Sequence, residues 1–321
     1  MTDAASDKLP REKVVVLTGG IGGAKLVRGM IDAVAPEAVT AIVNTGDDFV
    51  HLGLAISPDI DTLLYTLADK ANPVLGWGRR DESWNFMAAL KSLGGEDWFA
   101  LGDGDLALHI VRTMKIALGA SLTSVTADFA RAWDIAARIL PMSDDRVATE
   151  LVTDEGLLSF QDYFVARRCQ PAVRSIRFKG ADAAAATPAV LAAIADPRAR
   201  AIIIAPSNPF LSVDPILAVP GISEALAAAA APVVAISPLV AGRAVKGPTD
   251  KLMTELGLAV SHATIARHYA GLIDAILVDS DEPSGSFDGI VAARTDTLMQ
   301  TIDDKIRVAD AALALADSFG R

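Results

Sequence analysis

Short runs of valine, isoleucine and other apolar residues recur along this chain of 321 residues, and longer stretches with helical patterns separate them. The five clearest runs are residues 14–17, 41–43, 202–204, 233–236 and 275–278. A strand without polar residues must be buried on both faces, and strands that alternate with helices are joined by right-handed crossovers. The pattern therefore predicts an α/β fold with a Rossmann-like, three-layer core, in which a parallel sheet lies between two layers of helices.

The pattern becomes rich in helices between residues 63 and 168. The tryptophans of this segment are Trp77, Trp84, Trp98 and Trp133. We therefore divide the chain into a Rossmann-like core of residues 13–62 and 169–321 and a mainly helical insertion of residues 63–168. The tryptophans are more typical of a core than of a ligand platform.

The charge balance restricts the partners of the chain. It has 29 Lys+Arg and 40 Asp+Glu, a formal net charge of −11. Nucleic acids and anionic membranes attract proteins mainly through clustered cationic charge, so this balance argues against both partners. An anionic ligand must instead be bound by a local group of residues.

A single cysteine, Cys169, excludes an internal disulfide framework and a structural zinc site. It predicts a reducing, cytoplasmic setting. The first 13 residues lack the apolar core of a secretory signal, and we predict that they form a frayed leader. Residues 225–242 carry no charge, but Pro232 and Pro238 interrupt them, which favours a helix end and a strand over a membrane span.

A glycine-rich segment, GGIGGAK at residues 19–25, follows the first strand and opens a helix. Glycines at such a turn let backbone N–H groups approach a phosphate, and the helix dipole favours the anion. The segment matches neither a Walker A loop nor a dinucleotide fingerprint, because Leu26 follows Lys25 and no glycine stands at position 25. We predict a phosphate site, while the alternative is a turn that needs glycine for its geometry alone.

Acidic residues follow the second strand. The polar residues of this region are Asn44, Asp47, Asp48, His51, Asp59 and Asp61. In an open parallel sheet the loops after neighbouring strands face one crevice, so these carboxylates should lie beside the glycine segment. Carboxylates near a phosphate site favour Mg²⁺. The alternatives are that Asp47 is a turn residue and that Asp59 or Asp61 caps the next helix.

Two later strands also end in polar segments. Ser207, Asn208 and Pro209 follow the third run, and a loop with Lys246 and Asp250 follows the fourth. We expect both segments at the same sheet edge as the glycine segment. Within the acidic loop, His51 is a possible ligand contact, whereas His109 fits a helix residue equally well. The sequence contains neither a Ser/His/Asp nucleophile elbow nor an HExxH motif, which disfavours common hydrolases.

Seven motifs in order carry a resemblance to a known family: GGIGGAK, NTGDD, HLGLAISPDIDTLLYTLA, GWGRRDESW, WFALGDGDLALH, APSNPFLSVDPIL and SPLVAGRAVKGPTDKLM. Together they resemble the 2-phospho-L-lactate transferase family of coenzyme F420 biosynthesis. The resemblance implies transfer of a phosphorylated three-carbon acid (lactyl, enolpyruvyl or glyceryl) from its guanosine diphosphate ester to the ribityl hydroxyl of the deazaflavin alcohol Fo. It also implies a Mg²⁺ cofactor, release of GMP, small-molecule partners only and a homodimer.

The resemblance assigns roles to residues of the nucleotide-binding core and of the insertion. For metal binding these are Asp47, Asp59 and Asp61, and for catalysis Asp47, Asp48 and His51, one carboxylate accepting the hydroxyl proton. For the nucleotide and its diphosphate they are Gly19, Gly20, Gly22, Gly23, Lys25, Ser207, Asn208, Pro209, Lys246 and Asp250. For Fo they are Trp77, Asp103 and Asp105. In some members the histidine directly precedes the glycine, whereas here the order is His51-Leu52-Gly53, so His51 lies one position away.

Two other functions compete with this interpretation. One is a nucleotide-sugar-binding regulatory protein of the same fold without transferase activity. The other, suggested by composition alone, is an NAD-dependent oxidoreductase with Asp47 or Asp48 on the ribose hydroxyls.

Overall fold

The computed structural model describes residues 12–73, 77–245, 247–281 and 287–320. The strands in these ranges are β1 Lys13–Thr18, β2 Val39–Val43, β3 Phe49–His51, β4 Leu54–Ile56, β5 Arg138–Pro141, β6 Ala148–Thr153, β7 Gly156–Ser159, β8 Val173–Lys179, β9 Ala199–Ile204, β10 Val233–Ile236, β11 Leu239–Val240, β12 Arg243–Ala244, β13 Ala275–Asp279 and β14 Val291–Thr295. The α-helices are α1 Gly20–Ala33, α2 Pro58–Leu67, α3 Asn85–Ser92, α4 Asp103–Ala117, α5 Leu122–Ala132, α6 Pro188–Ile194, α7 Asp214–Leu217, α8 Ile222–Ala227, α9 Thr249–Glu255, α10 His262–His268 and α11 Ile302–Asp317.

Seven strands form the main sheet in the order β14-β13-β10-β9-β1-β2-β5, and every neighbouring pair is parallel. All five apolar runs lie in this sheet, so the predicted α/β architecture is confirmed. The chain runs from β1 to β2 on one side and later places β9 on the other side of β1. The strand order therefore reverses at β1 and β9, where open α/β sheets bind ligands.

Alternate side chains of the buried strands pack against two different layers of helices. Val14 and Val16 face one apolar cluster, which includes side chains of α1, α2, α5 and α11. Val15 and Leu17 face the other cluster, which includes side chains of α6, α8, α9 and α10. Because successive strand residues point to opposite faces, one uncharged strand serves both layers.

The segment from residue 63 to residue 168 is helical only in part. It contains α3, α4 and α5, but β5 joins the main sheet beside β2, and the hairpin β6–β7 pairs with β8 in a separate antiparallel sheet. The sequence prediction missed β5 because Arg138 opens it and Pro141 ends it, a composition that marks edge strands.

The ends of the chain and the uncharged stretch can also be placed. Residues 1–11 of the predicted leader lie outside the described residues, whereas Lys13 already belongs to β1. Residues 225–242 include the end of α8, β10 and β11. Among the helices in the described ranges, none combines the length and apolar character that a bilayer crossing needs.

The contact between α1 and α11 yields a test of the fold. A Cβ atom on Gly29 would lie 2.2 Å from the Lys305 carbonyl oxygen, which belongs to the backbone of α11. We expect Gly29→Ala to lower the free energy of unfolding by about 1–3 kcal/mol, because the helices must move apart. Helix propensity alone would instead raise it by about 1 kcal/mol. Urea unfolding of both proteins gives the sign, and a more stable variant would contradict the packing described.

Candidate functional site

A cavity of about 690 Å³ opens at the carboxyl edge of the main sheet. Loops that follow β1, β2, β9 and β10 line it, together with α2, the start of α4 and residues 160–168. It therefore occupies the switch point that the strand order defines. Most of the segments that the sequence indicated as functional meet there.

The glycine segment is fixed by hydrogen bonds with two side chains, Ser207 and Asp59. The Ser207 hydroxyl accepts from the Gly19 N–H at 3.2 Å and donates to the Gly19 carbonyl at 2.7 Å. Gly20 has φ +65°, which favours glycine, and its N–H donates to Asp59 Oδ1 at 2.8 Å. A Cβ on Gly23 would lie 2.1 Å from Thr18 Oγ1. The turn is thus held at the N-terminus of α1.

Not all residues of this segment reach the cavity. Gly19, Gly20, Gly22 and Lys25 line it, whereas Gly23 packs against β1. The Lys25 ammonium group donates to the Met299 carbonyl at 2.6 Å, at the cavity wall. The structure therefore brings most of the predicted diphosphate-binding residues together.

Two buried carboxylates share one amide group. Asn44 Nδ2 donates to Asp47 Oδ1 at 3.1 Å and to Asp59 Oδ2 at 2.9 Å, while Asn44 Oδ1 accepts from the Gly46 N–H. Burial raises the pKa of Asp59 to about 6. Burial and the neighbouring Asp59 charge raise the pKa of Asp47 well above its ordinary value. A cation beside the pair would favour the ionised form of both residues.

The carboxylates at the cavity wall are suited to hold Mg²⁺ only together with a substrate that supplies further ligands. Within the described ranges, no three or more histidine, cysteine, aspartate or glutamate side chains are arranged to hold a metal ion. Asp47 and Asp59 supply two carboxylates at the cavity wall. Mg²⁺ usually binds one or two carboxylates, substrate phosphate oxygens and water, and this pair beside the glycine segment meets that requirement.

Asp61, the third predicted metal ligand, has a cation of its own. Both of its oxygens accept from the Arg112 guanidinium group, and the two side chains are buried. Arg112 also contacts His109 Nδ1 at 3.2 Å. Asp61 lines the cavity, but Arg112 neutralises much of its charge, so Asp47 and Asp59 are the better candidates for a metal.

Asp48 and His51 lie behind the cavity wall. Asp48 Oδ2 accepts from the Ser57 hydroxyl at 2.7 Å, and burial raises the pKa of Asp48 well above its ordinary value. His51 is buried in β3 against Trp98, with ring centroids 5.1 Å apart, and burial lowers its pKa. Neither residue lines the cavity, so the geometry gives no support to their predicted catalytic roles.

The segments after β9 and β10 form another wall of the cavity. Ser207 and Asn208 line it, and Asn208 Nδ2 donates to Thr249 Oγ1 at 3.1 Å. Pro209 is buried and does not line the cavity. Asp250 accepts from the Ala244 N–H at 2.8 Å and does not line the cavity. Lys246 lies outside the described residues.

The residues predicted to bind Fo separate into two groups. Trp77 and Asp105 line the cavity, and Asp105 accepts from the Tyr65 hydroxyl and lies 3.3 Å from His109 Nε2. Asp103 instead holds the N-terminus of α3, where it accepts from the Ser83 hydroxyl and from the N–H groups of Asn85 and Phe86.

Sequence reasoning assigned no role to several residues in or directly behind the cavity wall. Tyr65, His109 and Arg112 connect Asp105 to Asp61 in one buried polar group. A signal for part of it was available, because residues 105, 109 and 112 have the spacing of one helix face. Gln161, whose Nε2 donates to the Asp47 carbonyl at 3.1 Å, comes from a distant segment, and no local signal marks it.

The role of Asp103 as a helix cap generates a prediction. Hydrogen bonds from Ser83, Phe86 and Asn85 lower the pKa of Asp103 from the ordinary 3.8 to about 2. The ionised carboxylate therefore stabilises the fold above the ordinary pKa, and this contribution is lost as the pH falls through about 2. Asp103→Ala should lower the melting temperature at neutral pH, and the difference from wild type should narrow in acid. A difference that stays constant down to the acid limit would contradict this role.

The sheet, with its ligand crevice at the switch point, places the chain among the doubly wound α/β proteins. A family model described as 2-phospho-L-lactate transferase CofD matches residues 14–311, and the chain belongs to that family. The family suggested by the motifs, with its transferase activity in coenzyme F420 biosynthesis, is thereby confirmed. Membership in a transferase family disfavours the regulatory and NAD-dependent alternatives.

Curated relatives cover nearly the whole chain. A phosphoenolpyruvate transferase of Kitasatospora aureofaciens is 42% identical over 316 residues, which are 95% of this chain and 98% of that protein. A phosphoenolpyruvate transferase of Mycobacterium avium is 40% identical over 320 residues, 90% of this chain and 94% of that protein. The solved structure of protein BH3568 from Bacillus halodurans, 20% identical with a TM-score of 0.62, covers 94% of this chain and 99% of its own and shares the fold.

Proposed function

We propose that this chain transfers a phosphorylated three-carbon acid from its guanosine diphosphate ester to the ribityl hydroxyl of Fo and releases GMP. The observation that carries the proposal is the meeting of the glycine segment with Asp47 and Asp59 at one cavity. The names of the curated relatives favour the enolpyruvyl acid over the lactyl and glyceryl acids.

The donor diphosphate would lie against the glycine segment. Because the N–H groups of Gly19 and Gly20 donate to Ser207 and Asp59, the anion would meet the dipole of α1, a helix of 14 residues, and the N–H groups that follow Gly20. Lys25 adds a positive charge at the cavity wall. Ser207 and Asn208, on the adjoining wall, are placed to contact the nucleotide.

The carboxylates would control charge at the transferred phosphoryl group. Mg²⁺ held by Asp47 and Asp59 would neutralise charge on the phosphate oxygens. Asn44 keeps both carboxylates in place through its shared amide group. Asp61 is not a metal ligand in this assignment, and Arg112 orients it at the cavity wall. Asp61 is therefore our candidate to accept the hydroxyl proton. Positioning and charge neutralisation account for most of such catalysis, so a weak base is sufficient.

The acceptor would bind on another side of the cavity. Trp77, Phe99 and Asp105 line that side, which combines aromatic surface with a carboxylate acceptor. The attacking hydroxyl would then meet the phosphorus between the two walls. The homodimer implied by the resemblance and the cytoplasmic location stay predictions.

A donor comparison tests the reaction. The protein is incubated with Fo, Mg²⁺ and the guanosine diphosphate ester of each three-carbon acid in turn, while GMP release is followed and the products are identified by mass spectrometry. We expect GMP and a phosphodiester of Fo, with the fastest turnover for the enolpyruvyl donor. Absence of GMP with all three donors would overturn the proposal.

Asp47→Asn tests the metal-binding role. We expect turnover to fall about a hundredfold or more at limiting Mg²⁺, because one ligating charge is lost. The melting temperature should not fall, because asparagine keeps the side-chain oxygen that accepts from Asn44 and cannot carry a buried charge. Asp134→Asn is the matched control: Asp134 is exposed with φ +53°, a conformation that asparagine accepts. Turnover of Asp47→Asn equal to that of the control would count against the assignment.

A further inference from the structure

A second cavity of about 250 Å³ adjoins the main one. The two cavities share Trp77, Gly78, Ala100 and Asp105 in their walls. A ligand in the main cavity can therefore extend past Trp77 into this side pocket. The pocket has polar and aromatic walls of its own, formed chiefly by Arg79, Glu82 and Trp84.

Glu82 and Arg79 present unused hydrogen-bonding atoms in this pocket. The Glu82 side chain is only 8% exposed, and its Oε2 accepts from the Gly104 N–H at 2.7 Å. Its Oε1 is buried and accepts no hydrogen bond, and Arg79 Nε, which forms an ion pair with it at 3.7 Å, is buried and donates none. Buried polar atoms nearly always have a hydrogen-bond partner, so an ion pair that is too long for a hydrogen bond leaves an acceptor and a donor that a polar ligand can satisfy.

The chain is shaped closely around this pair. A Cβ on Gly102 would lie 2.3 Å from the Glu82 carboxyl carbon, and a Cβ on Gly104 would lie 2.2 Å from Arg79 Nη1. The Glu82 side chain thus lies at the N-terminus of α4, a helix of 15 residues, where it accepts from the Gly104 N–H. Both glycines of the LGDGD motif are therefore required, since a larger residue at either position would collide with the side chain of Glu82 or Arg79.

Two tryptophans provide flat apolar walls. Trp77 is 49% exposed and Trp84 is 45% exposed, a large aromatic surface to leave in contact with water. Aromatic walls beside a carboxylate and a guanidinium group suit a flat heterocycle that carries a ring N–H next to a carbonyl. The N–H would match Glu82, and the carbonyl would match Arg79.

We propose that the side pocket binds the imide edge of the acceptor's deazaflavin ring, with Glu82 Oε1 accepting from the ring N–H and the Arg79 guanidinium donating to the adjacent carbonyl. This inference rests on the proposed function for the identity of the acceptor. The guanine base of the donor has a similar edge. We assign the pocket to the acceptor because neither the glycine segment nor Asn208 lines it.

A purely structural role for Glu82 would be to cap α4. Glu82→Gln separates the two roles, because a glutamine oxygen still accepts from Gly104 while its amide repels a ring N–H. Glu224→Gln is the matched control. Glu224 Oε2 accepts from the Gly221 N–H at 3.0 Å near the start of α8, and Glu224 lines neither cavity.

Binding is measured by tryptophan fluorescence and calorimetry with three probes: Fo, Fo methylated on the imide nitrogen, and GDP. We expect Glu82→Gln to raise the Kd for Fo about tenfold, because a charge-assisted hydrogen bond is lost. The methylated probe should bind wild type and Glu82→Gln equally weakly, and the Kd for GDP should not change. Glu224→Gln should match wild type with every probe, and the melting temperatures should agree.

Other binding results would overturn this inference, with or without the proposed function. Wild-type affinity of Glu82→Gln for Fo would overturn this inference and leave the proposed function standing. Weaker binding of GDP with normal binding of Fo would assign the pocket to guanine and also overturn it. Failure of the wild type to bind Fo would overturn both proposals. If Glu82→Gln folds poorly, Trp84→Ala at a half-exposed position replaces it, with the same expected loss of affinity for Fo.

Discussion

The site depends on the burial of two carboxyl groups at the switch point of the sheet. Asn44, directly after β2, donates to Asp47 and Asp59 with one amide group, and Asp59 in turn accepts from Gly20. Loops from β1, β2 and the start of α2 are therefore connected through one buried group. Such a group is costly without a counter-charge, and the same cost makes it suitable for binding a cation with an anionic substrate.

The aspartates at this cavity form two groups that differ in their hydrogen-bond partners. Asp47 and Asp59 have no cationic side chain among their hydrogen-bond partners in the described structure. Asp61 and Asp105, by contrast, are set in a polar group with Arg112, His109 and Tyr65. The first pair is suited to a metal and a diphosphate, and the second group would supply fixed hydrogen-bond acceptors to the wall that we propose for the acceptor. A net charge of −11 is therefore compatible with an anionic donor.

The features that could be predicted from the sequence are those that local patterns of residues determine. The sheet followed from uncharged strands, and the glycine segment and acidic loop followed from their positions after β1 and β2. Asp59 and Asp61 were indistinguishable in the sequence because they stand two residues apart at one helix start, and only Arg112, which is 51 residues from Asp61, separates their roles. His51 was expected at the ligand, but packing against Trp98 holds it behind the wall. Contacts between residues so far apart in the chain leave no periodic pattern in the sequence, so they could not be predicted from it.

A crystal structure of the protein with Mn²⁺ and GDP tests the central claim most directly, because the anomalous signal locates the metal. We predict a metal bound by Asp47 and Asp59 and by an oxygen of the diphosphate, with the diphosphate on the glycine segment. A metal that contacts neither carboxylate, or a diphosphate bound away from Gly19 and Gly20, would contradict this account.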